Sequence, residues 1–216
     1  MSNGFHGVRT RPGGQVRRVA DLVECIIRPM RLVLASASPR RRELLAAAGL
    51  EFDVDPVDID ETKRTEESPA SYVERVARAK AEAAARRHTD RVVLAADTAV
   101  VIDGDVLGKP RGDVEAARML RRLAGRTHDV LTGVAVARDG QITSTVERTT
   151  VQMASLSDAE IRWYVATGEA GDKAGAYAIQ GLASRFVPRI EGSYSNVVGL
   201  PVATVLQLLR SSGGFG

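Results

Sequence analysis

The stretch RLVLASASPRRR, residues 31–42, joins a strand pattern directly to a helix start. Its first part, residues 31–35, is a short apolar run that predicts a buried strand. Ser38 and Pro39 then provide an N-cap and a first helical residue, and Gly49 ends the predicted helix. A strand that passes at once into a helix indicates an α/β protein with this strand inside a sheet.

The rest of the chain alternates strand and helix patterns, with two hairpins in the middle. Asp103-Gly104 and Asp139-Gly140 are the turn signals of these hairpins, so antiparallel strands accompany the parallel ones. We therefore predict an α/β fold around a mixed sheet. Further strands are predicted over residues 52–57, 91–96, 98–102, 130–137, 141–153, 186–190 and 195–198. Further helices are predicted to begin at Ser68-Pro69, at Asp113, at the Ser157-x-x-Glu160 capping box and at Pro201.

Composition places the chain among ordinary globular proteins of one domain or two closely joined lobes. Of its 216 residues, 44% are apolar and 26% are charged, which is enough to bury a core. No apolar run approaches the roughly 20 residues of a membrane span. Cys25 is the only cysteine and cannot form an internal disulfide, so we expect a reducing, cytoplasmic location and no membrane partner.

The N-terminal segment, residues 1–29, carries the excess positive charge of the chain. Five arginines against Asp21 and Glu24 give it a net charge of +3, which equals that of the whole chain. The remainder is therefore close to neutral, and only 4% of all residues are aromatic. Both observations argue against a nucleic-acid partner.

Glycine and proline break any early strand or helix pattern in this segment. We predict a poorly ordered extension over residues 1–29, a folded domain over residues 30–211 and a flexible tail over residues 212–216. Our preferred interpretation takes Met30 as the natural start, and an Arg-rich targeting segment is the alternative. A chain that starts at Met30 is expected to fold and to keep its activity.

Residues 36–42, between the first strand and its helix, are the first candidate site. Arg40, Arg41 and Arg42 occupy the first turn of the helix, where the helix dipole disfavours cations. A bound phosphate would remove this conflict, because free N–H groups, hydroxyls and guanidinium groups together bind polyphosphate. The alternative is a capped helix with solvated arginines.

Asp97 is the second candidate, because it interrupts an apolar run between Ala95 and Ile102. A carboxylate in such a run is unfavourable to bury unless it is paired, protonated or bound to a metal. Strand ends that face a crevice are also where α/β proteins bind ligands. The alternative is a structural aspartate whose oxygens accept backbone N–H groups.

Three separate charges form the third candidate set. Lys80 falls on the apolar face of its predicted helix, Lys109 lies in a rigid GKP turn, and Glu61 ends the acidic cluster of residues 58–61. Such a cluster could hold a hard cation. The alternatives are a snorkelling lysine, a solvated turn lysine and a solvated acidic loop.

The glycine-bracketed segment GDKAGAYAIQG, residues 171–181, is the fourth candidate. Its Gln180 can both donate and accept hydrogen bonds, which suits the edge of a nucleotide base. Taken alone, the pattern indicates only a loop. The three histidines are too scattered for a metal triad, and we interpret His128 as an ordinary strand residue.

In their order along the chain, these segments resemble the Maf family of nucleoside triphosphate pyrophosphatases. Each motif is unspecific alone, but the ordered set is specific and covers nearly all of residues 30–210. Residues 1–29 lie outside the resemblance. The matching motifs are LVLASASPRR (32–41), DE (60–61), AKA (79–81), AADT (95–98), LGKP (107–110), DKAGAY (172–177) and GLP (199–201).

The resemblance implies a two-lobed fold, similar to that of inosine triphosphatases, with the substrate in a central cleft. It also implies hydrolysis between the α- and β-phosphates with the divalent cation Mg²⁺ or Mn²⁺. Asp97 corresponds to the catalytic proton acceptor, and Glu61 and Asp97 correspond to metal contacts. The sequence does not separate the two roles of Asp97. The corresponding polyphosphate contacts are Ser36, Arg41, Lys80 and Lys109.

Within the family, the chain resembles the dTTP/UTP branch rather than the 7-methyl-GTP branch. Arg40 stands where the other branch has Trp, and Tyr177 and Gln180 also match the first branch. Arg40, Thr98 and Gln180 correspond to its specificity positions. Three alternatives stay open: a 7-methyl-GTP pyrophosphatase, an inosine-triphosphate-type pyrophosphatase, and a nucleotide-binding regulator of cell division without turnover. The expected partner is the nucleoside triphosphate substrate, and a homodimer is left open.

Overall fold

The computed structural model describes residues 32–213. The extension predicted over residues 1–29, Met30, Arg31 and the last three residues of the predicted tail lie outside this range. The described strands are β1 (Leu32–Leu34), β2 (Phe52–Val54), β3 (Val92–Ile102), β4 (Asp105–Leu107), β5 (Thr127–Arg138), β6 (Gln141–Gln152) and β7 (Arg189–Glu191). The α-helices are α1 (Pro39–Ala47), α2 (Pro69–Ala85), α3 (Asp113–Leu123), α4 (Asp158–Ala166), α5 (Tyr194–Val198) and α6 (Val202–Ser211). Within residues 32–213, no helix is long and apolar enough to cross a membrane.

These strands form one mixed sheet, as the sequence predicted. Its order is β2-β1-β3-β5-β6-β7, and β4 pairs with the last part of β3. β1 is parallel to β2 and β3, whereas the pairs β3–β4, β3–β5, β5–β6 and β6–β7 are antiparallel. The two predicted hairpins turn at Asp103-Gly104 and Asp139-Gly140, where all four residues have positive φ. Positive φ at both central residues is the turn geometry that fits the twist of a hairpin.

Two regions of hydrophobic core meet along β3, which gives the two-lobed architecture. The first five residues of β3 pack into the first lobe, with α1 and α6 on one face of the sheet and α2 on the other. Val100 and Ile102, near the end of β3, pack into the second lobe with α3 and α4. Asp97 and Thr98 lie between these groups. The polar residues of β3 therefore stand where the two cores separate.

Helix α2 lies directly on the backbone of β5. A Cβ atom on Gly133 would stand 2.2 Å from the carbonyl oxygen of Val73, so no side chain fits between helix and strand. Gly133 is also the cross-strand partner of Asp97. Because Lys80 lies on the buried face of α2, this close approach brings its side chain to the middle of β3.

Four predicted strands differ from the structure. β3 is one continuous strand, so the two strands predicted over residues 91–96 and 98–102 are wrong as separate elements. Residues 195–198 belong to helix α5 and not to a strand, because the Ser193 hydroxyl accepts the N–H of Asn196 and caps the helix. The strand predicted over residues 186–190 begins only at β7, since the 3-10 turn Leu182–Phe186 precedes it.

Candidate active site

All the site residues predicted from the sequence line one cleft, in which two pockets adjoin. The larger, which we call the Asp97 pocket, has a volume of about 500 Å³ and contains Asp97, Lys80, Glu61 and Ser36. The second, which we call the Gln180 pocket, contains Gln180. The predicted residues that line both pockets are Arg40, Arg41, Thr98 and Lys109.

Lys80 and Asp97 form a buried ion pair in the Asp97 pocket. The Lys80 Nζ lies 2.8 Å from Asp97 Oδ1 and 2.7 Å from Glu61 Oε1. Lys80 and Asp97 are 8% and 7% exposed, whereas Glu61 reaches the pair from an exposed loop. Burial raises the pKa of Asp97, and the charges of Lys80 and Arg41 oppose that shift. Lys80 therefore does not snorkel into solvent, and Asp97 has a charged partner.

The carboxylates of Asp97 and Glu61 converge on the same ammonium group, and such a donor set suits Mg²⁺ or Mn²⁺. Both ions prefer carboxylate oxygens. Within residues 32–213, no cluster of three or more His, Cys, Asp or Glu side chains could hold a metal ion. Mg²⁺ is often bound by one or two carboxylates, with water and phosphate oxygens completing its shell, and two carboxylates fit that pattern. Asp60 instead accepts the N–H of Thr62 at 2.9 Å.

Arg41 is buried, and most of its donors bind the protein itself. Its Nε donates to the carbonyl oxygen of Gly199 at 2.9 Å, and its Nη1 donates to that of Ala96 at 2.7 Å. Nη1 also donates to Ser36 Oγ, and Nη2 to Thr98 Oγ1, both at 3.1 Å. Four of the five guanidinium N–H groups thus join the β1–α1 loop to β3 and to the loop after α5. Arg41 fixes the wall of the cleft and has one N–H left for a phosphate.

The other predicted residues that line both pockets come from three different elements. Arg40, in the first turn of α1, donates from Nη1 to Asp172 Oδ2 at 3.1 Å and so links the two sides of the cleft. The Thr98 hydroxyl donates to the carbonyl oxygen of Gly199 at 3.2 Å. Lys109, in the turn after β4, is exposed. Arg40 and Lys109 therefore present charge to a ligand, whereas Thr98 supports the wall of the cleft.

The Gln180 pocket has an apolar floor, and Gln180 is exposed at its rim. Tyr177 and Ile179 belong to that floor and are 6% and 8% exposed. The Tyr177 hydroxyl lies 2.8 Å from His128 Nε2, which satisfies a buried polar group. Burial lowers the pKa of His128 to about 4, so the histidine below the floor is neutral near pH 7. Apolar side chains beside an exposed amide suit a nucleotide base, and the charged residues that also line this pocket suit its phosphates.

Two residues that the sequence analysis did not single out, Tyr164 and Glu169, bind the backbone on both sides of Gln180. A local signal for one of them was present. Glu169 follows the C-terminus of α4, where the helix dipole disfavours a negative charge. A carboxylate in that place indicates compensating donors, just as three arginines at a helix start indicate an anion.

Comparison with known proteins relates the chain to one family. Residues 31–212 match the family described as Maf-like protein. A protein of Anaeromyxobacter dehalogenans (strain 2CP-C) named dTTP/UTP pyrophosphatase is 57% identical over 187 residues, which cover 85% of this chain and 94% of that protein. A protein of Geotalea uraniireducens (strain Rf4) with the same name is 54% identical over 185 residues, which cover 84% and 95%. Among solved structures, the Ham1 protein of Staphylococcus aureus matches with a TM-score of 0.48 and 15% identity, over 84% of this chain and 99% of that one.

Proposed function

This chain belongs to the Maf family, and on that premise we propose that it hydrolyses dTTP and UTP to the monophosphate and pyrophosphate. The observation that supports this most directly is the buried Lys80–Asp97 pair beside Thr98, which lines both pockets. An α-phosphate near Thr98 would join a base in the Gln180 pocket to the β- and γ-phosphates in the Asp97 pocket. The names of the relatives at 57% and 54% identity agree with this activity.

Asp97 serves as the proton acceptor in the proposed reaction. Its carboxylate takes a proton from a water molecule while the water oxygen bonds to the α-phosphorus. The bond between that phosphorus and the oxygen bridging to the β-phosphorus breaks, and pyrophosphate leaves with the electron pair. Burial raises the pKa of Asp97, which makes its carboxylate a stronger base than one in water.

Cationic side chains stabilise the charge of the phosphates. Lys80 is held by Asp97 and Glu61, so its ammonium group is in place before the substrate arrives and needs no reorganisation. Arg40 and Lys109 contribute charge from the two sides of the cleft. Mg²⁺ or Mn²⁺ held by Glu61 and Asp97 would neutralise the phosphates further and orient the α-phosphate.

Gln180 selects the base. Its amide offers one acceptor and donors, which pair with the N3–H and a carbonyl oxygen of uracil or thymine. Cytosine lacks the N3–H, so a fixed amide would leave one group unpaired, at about 1 to 3 kcal/mol. That difference corresponds to a selectivity of about 5- to 150-fold against CTP.

A panel of substrates tests the proposal. Pyrophosphate release is measured with dTTP, UTP, CTP, 7-methyl-GTP and inosine triphosphate, each with Mg²⁺ and with Mn²⁺. We expect kcat/KM for dTTP and UTP to exceed that for CTP by about 5- to 150-fold and to exceed those for both purines. If a purine nucleotide is the best substrate, the base assignment fails while the pyrophosphatase activity stands. If nucleotides bind without release of pyrophosphate, the chain is instead a nucleotide-binding regulator.

Substitution of Gln180 tests its role separately. Gln180→Ala is expected to lower kcat/KM for dTTP and UTP to near the value for CTP, because the base edge loses its partner. Gln207→Ala is the matched control, since Gln207 is an exposed glutamine of α6 and lines neither pocket. An equal loss on all substrates in Gln180→Ala would contradict base selection by this side chain.

A further inference from the structure

One pair of side chains, the Tyr164–Glu169 pair, binds the backbone on both sides of Gln180. Before Gln180, the N–H of Ala178 donates to the Tyr164 hydroxyl oxygen at 3.1 Å. After it, the N–H of Leu182 donates to Glu169 Oε2 at 2.9 Å, and the next N–H along the chain donates to Oε1 at 3.3 Å. The Tyr164 hydroxyl itself donates to Glu169 Oε1 at 2.7 Å. Three backbone N–H groups around Gln180 therefore end on one connected pair.

Gly181 leaves the space that this contact needs. A Cβ atom at Gly181 would lie 2.3 Å from Glu169 Oε2 and 2.6 Å from Glu169 Cδ, so any side chain there would displace the carboxylate. The segment around Gln180 lies between two 3-10 turns rather than in a strand or an α-helix. The Glu169 carboxylate and the Tyr164 hydroxyl therefore accept backbone N–H groups that backbone carbonyl oxygens would accept in a helix or a sheet.

The Tyr164–Glu169 pair is itself fixed in the second lobe. Tyr164 is fully buried in α4 and packs edge-on against Phe186, with ring centroids 5.8 Å apart. Burial and the hydrogen bond to Glu169 raise the pKa of Tyr164, so the phenol stays protonated and continues to donate. The neighbouring Trp163 ring lies 4.7 Å from the guanidinium carbon of Arg185, which packs the adjoining turn onto α4. The pair thus connects a rigid helix to an irregular segment.

We propose that Tyr164 and Glu169 are positioning residues for base selection, which set the place of the Gln180 amide without touching the substrate. The proposal rests on the proposed function, in which Gln180 recognises the base. An amide distinguishes thymine from cytosine only if its oxygen and its NH₂ group face fixed points, and a shift of about 1 Å is enough to lose such geometry. Neither residue lines the Asp97 pocket, so we expect the chemistry at the phosphates to continue without them.

Three variants perturb the Tyr164–Glu169 pair in different ways. Tyr164→Phe removes the acceptor of one N–H and the donor to Glu169, and Glu169→Gln replaces one of two acceptor oxygens by an NH₂ group. Gly181→Ala displaces the carboxylate while both side chains of the pair remain. Glu160→Gln is the matched control. Glu160 lies in the first turn of α4, the helix that contains Tyr164, and its carboxylate accepts the N–H of Ser157 at 2.8 Å. It is therefore at the end of α4 remote from Glu169.

The measurement separates base selection from chemistry. kcat and KM are determined for dTTP, for CTP and for ribose 5′-triphosphate, which carries no base, and thermal unfolding of each variant is followed in parallel. We expect the dTTP-to-CTP ratio of kcat/KM to fall toward 1 in the three variants, by at most the about 5- to 150-fold that Gln180 supplies, through a higher KM for dTTP. The values for ribose 5′-triphosphate should stay unchanged. Glu160→Gln should lower the melting temperature at most and leave the ratio as in the wild type.

Two outcomes would overturn the proposal. One is an unchanged ratio in the folded variants, and the other is an equal loss on all three substrates, which a purely structural role would produce. The wild-type ratio tests the proposed function, whereas the change of the ratio in the variants tests the Tyr164–Glu169 pair. If the wild type prefers another base, that nucleotide replaces dTTP in the ratio, so the two proposals fail separately.

Discussion

The two pockets of the cleft are built in opposite ways. In the Asp97 pocket, charged side chains project from β3, α2 and α1 and are already bound by the protein: Lys80 pairs with Asp97, and Arg41 donates to backbone carbonyls. In the Gln180 pocket, the side chain at the rim is exposed and projects from an irregular segment. The sheet and its helices position the first pocket, whereas hydrogen bonds from side chains to backbone position the second.

This difference separates the residues proposed for hydrolysis from the residue proposed to select the base. Phosphates are common to all nucleotides, and the buried Lys80–Asp97 pair proposed to act on them is held between α2 and β3, so it cannot shift without disturbing β3. The base differs between nucleotides, and the segment proposed to bind it can change while the sheet stays intact. Substitutions in the Asp97 pocket should therefore affect all substrates alike, whereas those in the Gln180 pocket should change the ratios between substrates.

Asp97→Asn tests the first half of this comparison and should have the largest effect. An amide cannot accept the proton of water, so kcat should fall by about 10²- to 10⁴-fold on every substrate. The fold should persist, because Lys80 keeps Glu61 as a partner. Asp129→Asn is the control, since Asp129 is a half-buried carboxylate of β5 that is paired with Arg148 and lines neither pocket. Near wild-type turnover by Asp97→Asn would refute the assignment of the proton acceptor.

The pH dependence of stability tests the floor of the Gln180 pocket. The pKa of His128 is about 4 in the folded chain, against 6.5 for an ordinary histidine. Between these values the unfolded chain binds more protons, so the free energy of unfolding falls as the pH falls from about 6.5 to about 4, by about 3 kcal/mol in all. Urea unfolding of the wild type and of His128→Gln over this pH range measures both free energies of unfolding. The difference between their pH slopes is the contribution of His128.

Equal pH slopes in these two proteins would contradict the buried, neutral state of His128. His88→Gln serves as a control, because His88 is a half-buried histidine that lies 2.7 Å from Asp55 and not in either pocket. In His88→Gln, the part of the pH slope that His128 causes should be unchanged.

Gly133→Ala tests how closely the Asp97 pocket depends on the contact between α2 and the sheet, and should have the smallest effect. The added methyl group would meet the backbone of Val73, which cannot rotate away, so we expect a loss of about 1 to 3 kcal/mol in the free energy of unfolding. The displaced helix should also lower kcat on all substrates by the same factor. Gly171→Ala is the control, since its nearest neighbour would be an ordinary contact at 3.7 Å. A change in the dTTP-to-CTP ratio would show that the two pockets are not independent.

Local signals predicted the elements whose ends carry turn or cap chemistry. Ser157 and Glu160 form the predicted capping box, and both predicted hairpin turns are present. Residues 195–198 were predicted wrongly because a segment with two valines fits a strand, and a helix of five residues is too short to show a helical period. The cap that makes it a helix comes from Ser193, which lies outside the predicted element.

The sequence indicated which residues line the cleft, but not how they are held. Arg40 and Arg41 are neighbours in one helix turn, and no local pattern distinguishes them. Arg41 is buried because Gly199, 158 residues away along the chain, supplies an acceptor. The Tyr164–Glu169 pair was missed for a similar reason, since only tertiary packing brings the turn after Gln180 to the end of α4. Burial and long-range acceptors are properties of the folded chain that a periodic pattern does not contain.

The stacking of Trp163 with Arg185 has an optical consequence. The chain contains a single tryptophan, 42% exposed, so all of its indole emission comes from one place beside the turn that follows Gln180. Two neighbours determine the wavelength and intensity of that emission. They are the guanidinium carbon of Arg185, 4.7 Å from the indole ring, and the Phe186 ring, centred 6.4 Å away. A base that moves this turn as it enters the pocket will change the fluorescence. Stopped-flow recording can then time the arrival of the base separately from the release of pyrophosphate, with no label attached.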